Sequence, residues 1–377
     1  MQSVLFLNDL IPFPSVSSES NVDVSRWVES NLKSLGFETE WLEYTDENGM
    51  VKACVSGRKG PDQGRGLAYF CHTDVVPVGS WSFPKSGPWE PLETNDRIYG
   101  RGSCDMKGSL ACMMAAAATV DASDLAEPVY IVCTADEEIG LKGAAQLVAR
   151  SAMYREIVQR QARSIVGEPT MLDIVHAHKG GRAFKITSSG VAAHSSTGKG
   201  TNANFAMIPF LADIKKMCDE IEGDNQWQDD RYVPPTINLN LGVNDHTHAL
   251  NITAAQSVCT IYFRTMPAID AAAISNRIKS LADQHGLQLE TIFETEPLFT
   301  DPGSDFVKEL LEITGADSSR TVAYGTDGSC FHELNDIVVL GPGDIRQAHT
   351  DDEWITLDQL QKGTKLFETL IDRWCRK

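Results

Sequence analysis

Short apolar runs that alternate with a helix-like segment constrain the fold of this chain more than any other feature. Residues 67–71, 129–134 and 164–167 are bounded by turn residues and have the length of buried strands. Residues 106–120, between the first two runs, are rich in Ala and Met, as expected for a buried helix. Because strands that alternate with helices form a mostly parallel sheet covered on both faces, we predict an α/β fold here.

The pattern changes near residue 179. Residues 183–188, 236–241 and 257–264 have the composition and alternation of strands, and 203–221 and 271–285 have helical periodicity. A strand-helix-strand-strand-helix-strand order of this size is typical of a small ferredoxin-like α+β fold.

The C-terminal part returns to the first fold, with a predicted strand at 337–340 and a closing helix at 357–374. A length of 377 residues suits two domains, or one domain that carries an insertion. We therefore predict a catalytic domain of residues 1–178 and 295–377, interrupted by an inserted domain of residues 179–294.

Composition limits the partners and the location. The formal net charge of −19 argues against nucleic acid and anionic membranes as partners. The N-terminal run lacks a basic region and is interrupted by Asn8 and Asp9, and no stretch approaches 18 apolar residues. The nine cysteines are scattered without CxxC pairs, which predicts reduced thiols in a cytoplasmic protein and no zinc–cysteine site.

Metal-binding residue types stand at the ends of the predicted strands and at the start of the predicted helix. His72 follows the first strand, Glu137 and Glu138 follow the second, Glu168 follows the third, and Asp105 precedes the helix. Ligands of open α/β sheets bind at the carboxyl ends of the strands. We therefore expect these loops to bring His72, Asp105, Glu138 and Glu168 together.

The predicted cluster holds too much negative charge to stand alone. Four carboxylates in one cleft would cost several kcal/mol if unpaired, and two divalent cations would neutralise them. Carboxylate and imidazole ligands without thiolates suit zinc, cobalt or manganese in a hydrolytic two-metal site. His349, which follows a strand and a glycine-rich turn, is the candidate second imidazole.

Backbone geometry suggests further roles. Residues i and i+2 of an extended chain point the same way, so Asp74 could accept the second ring N–H of His72. Adjacent residues face opposite sides, so Glu138 could bind metal while Glu137 acts as general base. Taken separately, a surface histidine and a solvated acidic turn explain these two segments equally well.

Taken together, the motifs resemble a known family. HTDVVP, YGRGSCDMKG, TADEEIG, VGEPT, AHKGG, GVAAHSS, NLG, FRTMP and LGPGDIRQAH occur in the order and spacing of the zinc amidohydrolase and exopeptidase family. This family includes acetylornithine deacetylase, succinyl-diaminopimelate desuccinylase, aminoacylase and the glutamate carboxypeptidases. The resemblance covers nearly the whole chain, and VGEPT, AHKG and LGPG are most similar to acetylornithine deacetylase.

The resemblance implies a zinc exopeptidase-like fold and a ligand scheme. His72 and Glu168 would hold one zinc ion, Glu138 and His349 the other, and Asp105 would bridge them. Two divalent metal ions are thus expected, with zinc as the first choice and cobalt or manganese as alternatives.

The resemblance also assigns roles beside the metals. Glu137 would be the general acid and base, and Asp74 the partner of His72. The peptide bond after Asp105 is often cis in the family.

The inserted domain resembles the family's lid and dimerisation domain, so we expect a homodimer. His194 would reach the active site of the partner subunit and stabilise the oxyanion. Arg264 would bind the substrate carboxylate, and Asn251 would lie near the substrate. An exposed loop histidine and a surface ion pair are the structural alternatives for His194 and Arg264.

These expectations predict hydrolysis of the amide bond of a small N-acyl amino acid, as in acetylornithine deacetylase, by attack of a metal-bridging hydroxide. A dipeptidase or carboxypeptidase of the same family is the main alternative, and a non-catalytic binding protein is another. Residues 179–182 lack the paired arginines of a desuccinylase, and residues 325–329 stand where family members touch substrate. His246 and His248 form an HxH motif that we interpret as a turn, and His176 and His178 as strand residues.

Overall fold

The computed structural model describes residues 1–247 and 249–377, and the chain forms two compact units. The predicted catalytic and lid roles of these units stay predictions. The first unit consists of Met1–Ala177, Phe299–Arg320 and Thr326–Lys377, and the second of His178–Leu298 and Thr321–Gly325.

Helices and strands alternate through much of the first unit. The helices are α1 (Gln2–Leu10), α2 (Val22–Ser34), α3 (Lys107–Ala117), α4 (Lys142–Arg150), α5 (Ala152–Arg160), α6 (Ala203–Glu222), α7 (Ala271–Gln284), α8 (Asp305–Thr314) and α9 (Leu357–Trp374). The strands are β1 (Glu38–Thr45), β2 (Val51–Lys59), β3 (Leu67–His72), β4 (Leu92–Thr94), β5 (Arg97–Tyr99), β6 (Val129–Thr134), β7 (Arg163–Val166), β8 (Val175–His178), β9 (Gly180–Ser189), β10 (Leu239–Asn244), β11 (Gln256–Thr265), β12 (Gln288–Thr295), β13 (Leu298–Phe299), β14 (Arg320–Val322), β15 (Ile337–Val339) and β16 (Trp354–Thr356).

The main sheet is mixed, with a parallel centre. Its strand order is β1-β2-β6-β3-β7-β15-β8-β13, and the β6-β3, β3-β7 and β7-β15 pairs are parallel. Parallel strands end at the same edge of a sheet, so the residues that follow β3, β6, β7 and β15 lie side by side. The predicted fold class, a mostly parallel mixed sheet with an inserted α+β domain, is confirmed.

Helix α3 links the core to this edge. Every residue of α3 is buried, which explains why its sequence is apolar all round rather than amphipathic. The helix packs against α1, α9 and β3. Tyr69 of β3 donates a hydrogen bond of 2.7 Å to Ser109 of α3, and its ring contacts Phe367 of α9 edge to face. The start of α3, where Asp105 stands, is therefore held close to the end of β3.

The second unit has the predicted ferredoxin-like order. Its sheet runs β10-β11-β9-β12, with all neighbours antiparallel. One strand begins later than predicted, at Leu239 rather than residue 236. Asn238 adopts a left-handed φ of +50°, and the carbonyl of Thr236 accepts a hydrogen bond of 2.7 Å from Lys179. The chain therefore cannot extend before Leu239.

Two further observations concern segregation and thiols. In the part of the chain that the structure describes, the helices fall short of the length and apolar character that a membrane span requires. All nine cysteines are free, and most are buried.

Candidate metal centre

The first group of candidate ligands combines one imidazole with two carboxylates. His72 ends β3, Glu168 follows β7, and Asp105 precedes α3. His72 Nε2 lies 3.1 Å from Asp105 Oδ1 and 3.6 Å from Glu168 Oε1. The three donor atoms lie within 4.8 Å of one another, and all three residues are buried. One cation could contact all three atoms.

The second group shares Asp105. His349 Nε2 lies 3.1 Å from Glu138 Oε1 and 3.4 Å from Asp105 Oδ2, so the two oxygens of Asp105 face the two histidines. The turn before His349 depends on Gly343, which has a φ of +99° and where a Cβ would lie 2.7 Å from Cys104 Sγ. The five predicted ligands thus converge as two groups joined by one carboxylate.

The chemistry of these residues fits a pair of divalent cations. Burial raises the pKa of Glu168 and of Glu138, and neighbouring carboxylates raise them further. Hydrogen bonds to Asp105 and Glu138 raise the pKa of His349 to about 10. Burial would raise the pKa of Asp105, but hydrogen bonds from His349 and His72 outweigh it and lower the pKa. The common cause is concentrated negative charge, which bound cations would offset.

Glu137 lies outside both ligand groups of the described residues. Burial raises the pKa of its carboxyl group well above the usual range, and the charges of Glu168 and Glu138 add to this effect. A half-buried carboxyl group with a raised pKa, beside a ligand cluster, has the properties of a general base that works near neutral pH.

Asp74 differs in detail from the prediction. His72 Nδ1 lies 2.8 Å from the backbone carbonyl of Asp74 and 3.7 Å from its carboxylate. The i, i+2 argument assumed an extended chain, but β3 ends at His72. The Asp74 carboxylate instead accepts hydrogen bonds from the backbone amides of Glu137 (3.2 Å) and Glu138 (3.3 Å) and from Ser17 Oγ (2.7 Å). Asp74 therefore joins the His72 loop to the loop that carries Glu137.

A buried ion pair supports the same loop from behind. Lys52 Nζ of β2 lies 2.7 Å from Asp136, whose other carboxylate oxygen accepts a hydrogen bond of 2.7 Å from Tyr44. Lys52 also donates to the backbone carbonyls of Ser17 and Glu19, at 2.6 Å each. Sequence analysis missed these residues, because a lysine inside a strand resembles a solvent-facing residue until its partner is known.

Two other buried acids were also missed. Asp327 accepts a hydrogen bond from Thr134 Oγ1 at the end of β6, and burial raises the pKa of Asp327 to about 7. Glu353 is paired with Arg101 at 2.7 Å, next to Asp105. Both follow glycine-rich or acidic turns that resemble solvated loops in the sequence.

The predicted substrate-binding residues belong to the second unit. His194 is exposed, and its Nδ1 lies 2.7 Å from Ser196 Oγ. The adjacent Ser195 amide donates a hydrogen bond of 2.8 Å to the carbonyl of Asn251, so the predicted His194 and Asn251 positions are neighbours. Arg264 lies on β11, with its guanidinium 5.2 Å from the centre of the Tyr262 ring. The predicted roles of these three residues stay predictions.

Of the HxH motif, His246 is exposed, has a φ of +54°, and donates its amide to the Asn244 side chain at 2.8 Å. This side-chain-capped bend agrees with the interpretation of the segment as a turn. His248 lies outside the described residues.

The parallel sheet edge and its acid–imidazole cluster are accompanied by a clear family match. The model of peptidase family M20/M25/M40 matches residues 68–373, and the chain belongs to this family of hydrolases.

Individual relatives cover nearly the whole chain. Acetylornithine deacetylase of Myxococcus xanthus is 29% identical over 382 residues, which cover 98% of this chain and 96% of the relative. The M20 family metallo-carboxypeptidase Sso-CP2 of Sulfolobus solfataricus has a TM-score of 0.74 and 18% identity, with 99% of both chains covered. The di-peptidase Dug1p of Saccharomyces cerevisiae has a TM-score of 0.72 and 14% identity, covering 99% and 95% of the two chains.

Proposed function

We propose that this chain is a two-metal hydrolase that cleaves the amide bond of a small N-acyl amino acid, in the manner of an acetylornithine deacetylase. The observation that carries the proposal is the pair of ligand groups joined by Asp105, with Glu137 beside them. The similarity to acetylornithine deacetylase over nearly the whole chain supports an N-acyl amino acid as the substrate.

In this proposal His72 and Glu168 hold one metal ion, Glu138 and His349 hold the other, and Asp105 contacts both. Zinc is the proposed metal, with cobalt and manganese as alternatives. When bound, the ions would act as Lewis acids toward the acyl carbonyl and would lower the pKa of water.

The side chains carry the proton transfers and the orientation. Glu137 accepts a proton from the attacking water and later donates it to the leaving amine. Asp74 holds the backbone of Glu137 through its hydrogen bond of 3.2 Å. His194, from a second copy of the chain, donates a hydrogen bond to the developing oxyanion, and Arg264 pairs with the substrate carboxylate. The products are a carboxylic acid and a free amino acid.

A substrate screen tests the acyl specificity. Zinc- and cobalt-loaded enzyme is assayed against acetyl, formyl and succinyl derivatives of ornithine, citrulline, diaminopimelate and neutral amino acids, with dipeptides in parallel. We expect the highest kcat/KM for an acetylated amino acid. Faster hydrolysis of dipeptides would instead support the second candidate, a dipeptidase or carboxypeptidase, which the likeness to Sso-CP2 and Dug1p keeps open.

Metal removal tests the centre itself. Treatment with a chelator should abolish hydrolysis and lower the midpoint of thermal unfolding, because bound cations stabilise the folded state by about 2.7 kcal/mol at 100 times their Kd. Adding zinc back to two equivalents per chain should restore both. An enzyme that keeps full activity with less than 0.1 equivalent of metal, roughly the detection range of elemental analysis, would contradict the proposal.

We also propose a homodimer formed through the second unit. Strand β10 is a sheet edge, and Leu241 and Val243 on it are exposed. Leu241 lies opposite the buried Ile261, so it points to the helix-covered side of the sheet. Phe205 and Ile208 of α6 are exposed as well. Apolar side chains beside a free strand edge are typical of a surface that a partner covers.

Replacing Val243 with Asp should convert the dimer to a monomer, because the charge would be buried without a partner. Light scattering after gel filtration gives the mass. Ile292→Asp is the matched control, because Ile292 is similarly exposed on the opposite edge strand, β12. If both variants keep the mass of the parent protein, the proposed interface is wrong. The cytoplasmic location stays a prediction.

A further inference from the structure

We propose that Glu353 is a positioning residue of the metal centre, acting through the backbone of the Asp105 segment (residues 101–105). The inference rests on the proposed function, because it concerns the geometry of the proposed metal ligands. Glu353 is neither a predicted ligand nor a predicted substrate contact.

The carboxylate of Glu353 accepts four hydrogen bonds from the Asp105 segment. Oε2 accepts from Arg101 Nη1 at 2.7 Å and from the Gly102 amide at 2.9 Å. Oε1 accepts from the Cys104 amide at 2.8 Å and from the Asp105 amide at 2.9 Å. The Glu353 side chain is 1% exposed, so water does not compete for these donors. One side chain thereby ties down three backbone amides that precede α3.

Only a carboxylate meets these requirements. The segment is a loop, so its amides have no strand or helix partner, and buried N–H groups need an acceptor. A carboxylate offers two acceptor oxygens with about four lone-pair positions. Glutamine has the same shape, but its NH₂ group would face two N–H donors and leave them unpaired. The charge of Glu353 is in turn balanced by Arg101, which is 2% exposed.

Glu353 also couples Asp105 to the other side of the centre. It stands four residues after His349, and its carbonyl accepts a hydrogen bond of 3.0 Å from the Gly100 amide. The strand that follows it, β16, pairs with β5, which immediately precedes Gly100. His349 Nε2 lies 3.4 Å from the Asp105 carboxylate. Residues 349–353 therefore contact Asp105 at both its carboxylate and its amide.

From this geometry, Glu353 sets the distance between Asp105 and His349, which the two proposed cations must share. Loss of a group that orients metal ligands typically weakens metal affinity or activity by about 10- to 100-fold. Contacts to the substrate should be unaffected, since Glu353 reaches only the backbone of the ligand segment and Arg101.

The test is a cobalt(II) titration of metal-free Glu353→Gln, followed by visible absorption, which reports on coordination geometry. We expect Co²⁺ to bind about 10- to 100-fold more weakly than to the parent protein, with a changed absorption band. In the zinc-loaded enzyme we expect kcat to fall by a similar factor and KM to stay within about twofold. Should Glu353→Gln fail to fold, Glu353→Asp, which keeps both acceptor oxygens, is expected to show a smaller loss of the same kind.

Glu127→Gln is the matched control. Glu127 accepts hydrogen bonds from the Arg65 and Gly66 amides (3.2 and 2.8 Å) and from the Arg163 guanidinium (3.2 Å), but it contacts no proposed ligand in the described residues. It should lower stability without changing Co²⁺ affinity or absorption. If the parent protein binds no Co²⁺, the proposed function fails. If the parent binds Co²⁺ and Glu353→Gln binds it as tightly as Glu127→Gln does, only the positioning role is overturned.

Discussion

Replacing Glu137 with Ala is expected to lower kcat by about 10²- to 10⁴-fold, while the protein keeps close to two metal ions per chain. The reason is that Glu137 lies outside both ligand groups of the described residues, yet it is the carboxyl group next to Glu138. Proton transfer to the leaving amine would then lack its donor. Steady-state kinetics with the best substrate of the screen, together with elemental analysis, measures both quantities.

Glu47→Ala serves as a control, because Glu47 is an exposed acid that pairs with Lys142 on the surface. It should leave kcat unchanged. An unchanged kcat in Glu137→Ala would refute the assigned role, and loss of metal in that variant would reassign Glu137 as a ligand.

Replacing Asp105 with Ala should have a larger effect on metal content than the loss of any other single ligand. Asp105 is the member that the two groups share, and its two oxygens lie 3.1 Å from His72 and 3.4 Å from His349. Its loss removes a carboxylate from each group. If the ions supply several kcal/mol of transition-state stabilisation, kcat should fall by about a thousandfold or more.

Elemental analysis after dialysis is the measurement, and Glu168→Gln is the comparison, because Glu168 belongs to the first group only. We expect Glu168→Gln to retain about one metal ion per chain and Asp105→Ala to retain less. Asp173→Ala, at an exposed acid paired with Arg320, should retain both ions. Equal metal content in Asp105→Ala and the parent protein would exclude a shared carboxylate.

Much of the fold could be predicted because its hydrophobic patterns are local. Helix α9 begins and ends at the predicted residues 357 and 374, since its periodic apolar face covers the core. Strand β2 was not predicted, although it is almost entirely buried. Lys52 and Lys59 interrupt its pattern, and both are buried because they bond to Asp136 and to the carbonyl of Ala117. Such pairing depends on distant residues, so periodicity does not reveal it.

The candidate site divides in the same way. His72, Asp105, Glu138, Glu168 and His349 could be proposed from residue type and from their places at strand and helix ends. Glu353 could not, because the acidic run at 351–353 resembles a solvated turn. The path of the Asp74 carboxylate was also missed, since it depends on where β3 ends. Residue type predicts what can bind, whereas burial and the chain's turns decide which side chains support it.

The order of the ligands along the chain has a consequence for biosynthesis. His72, Asp105 and Glu168 all precede the inserted segment, whereas His349 and Glu353 follow it. A ribosome that releases the chain from its N-terminus can therefore deliver the complete first triad well before the second. On this basis the nascent polypeptide should be able to capture one ion early and the other only near the end of translation.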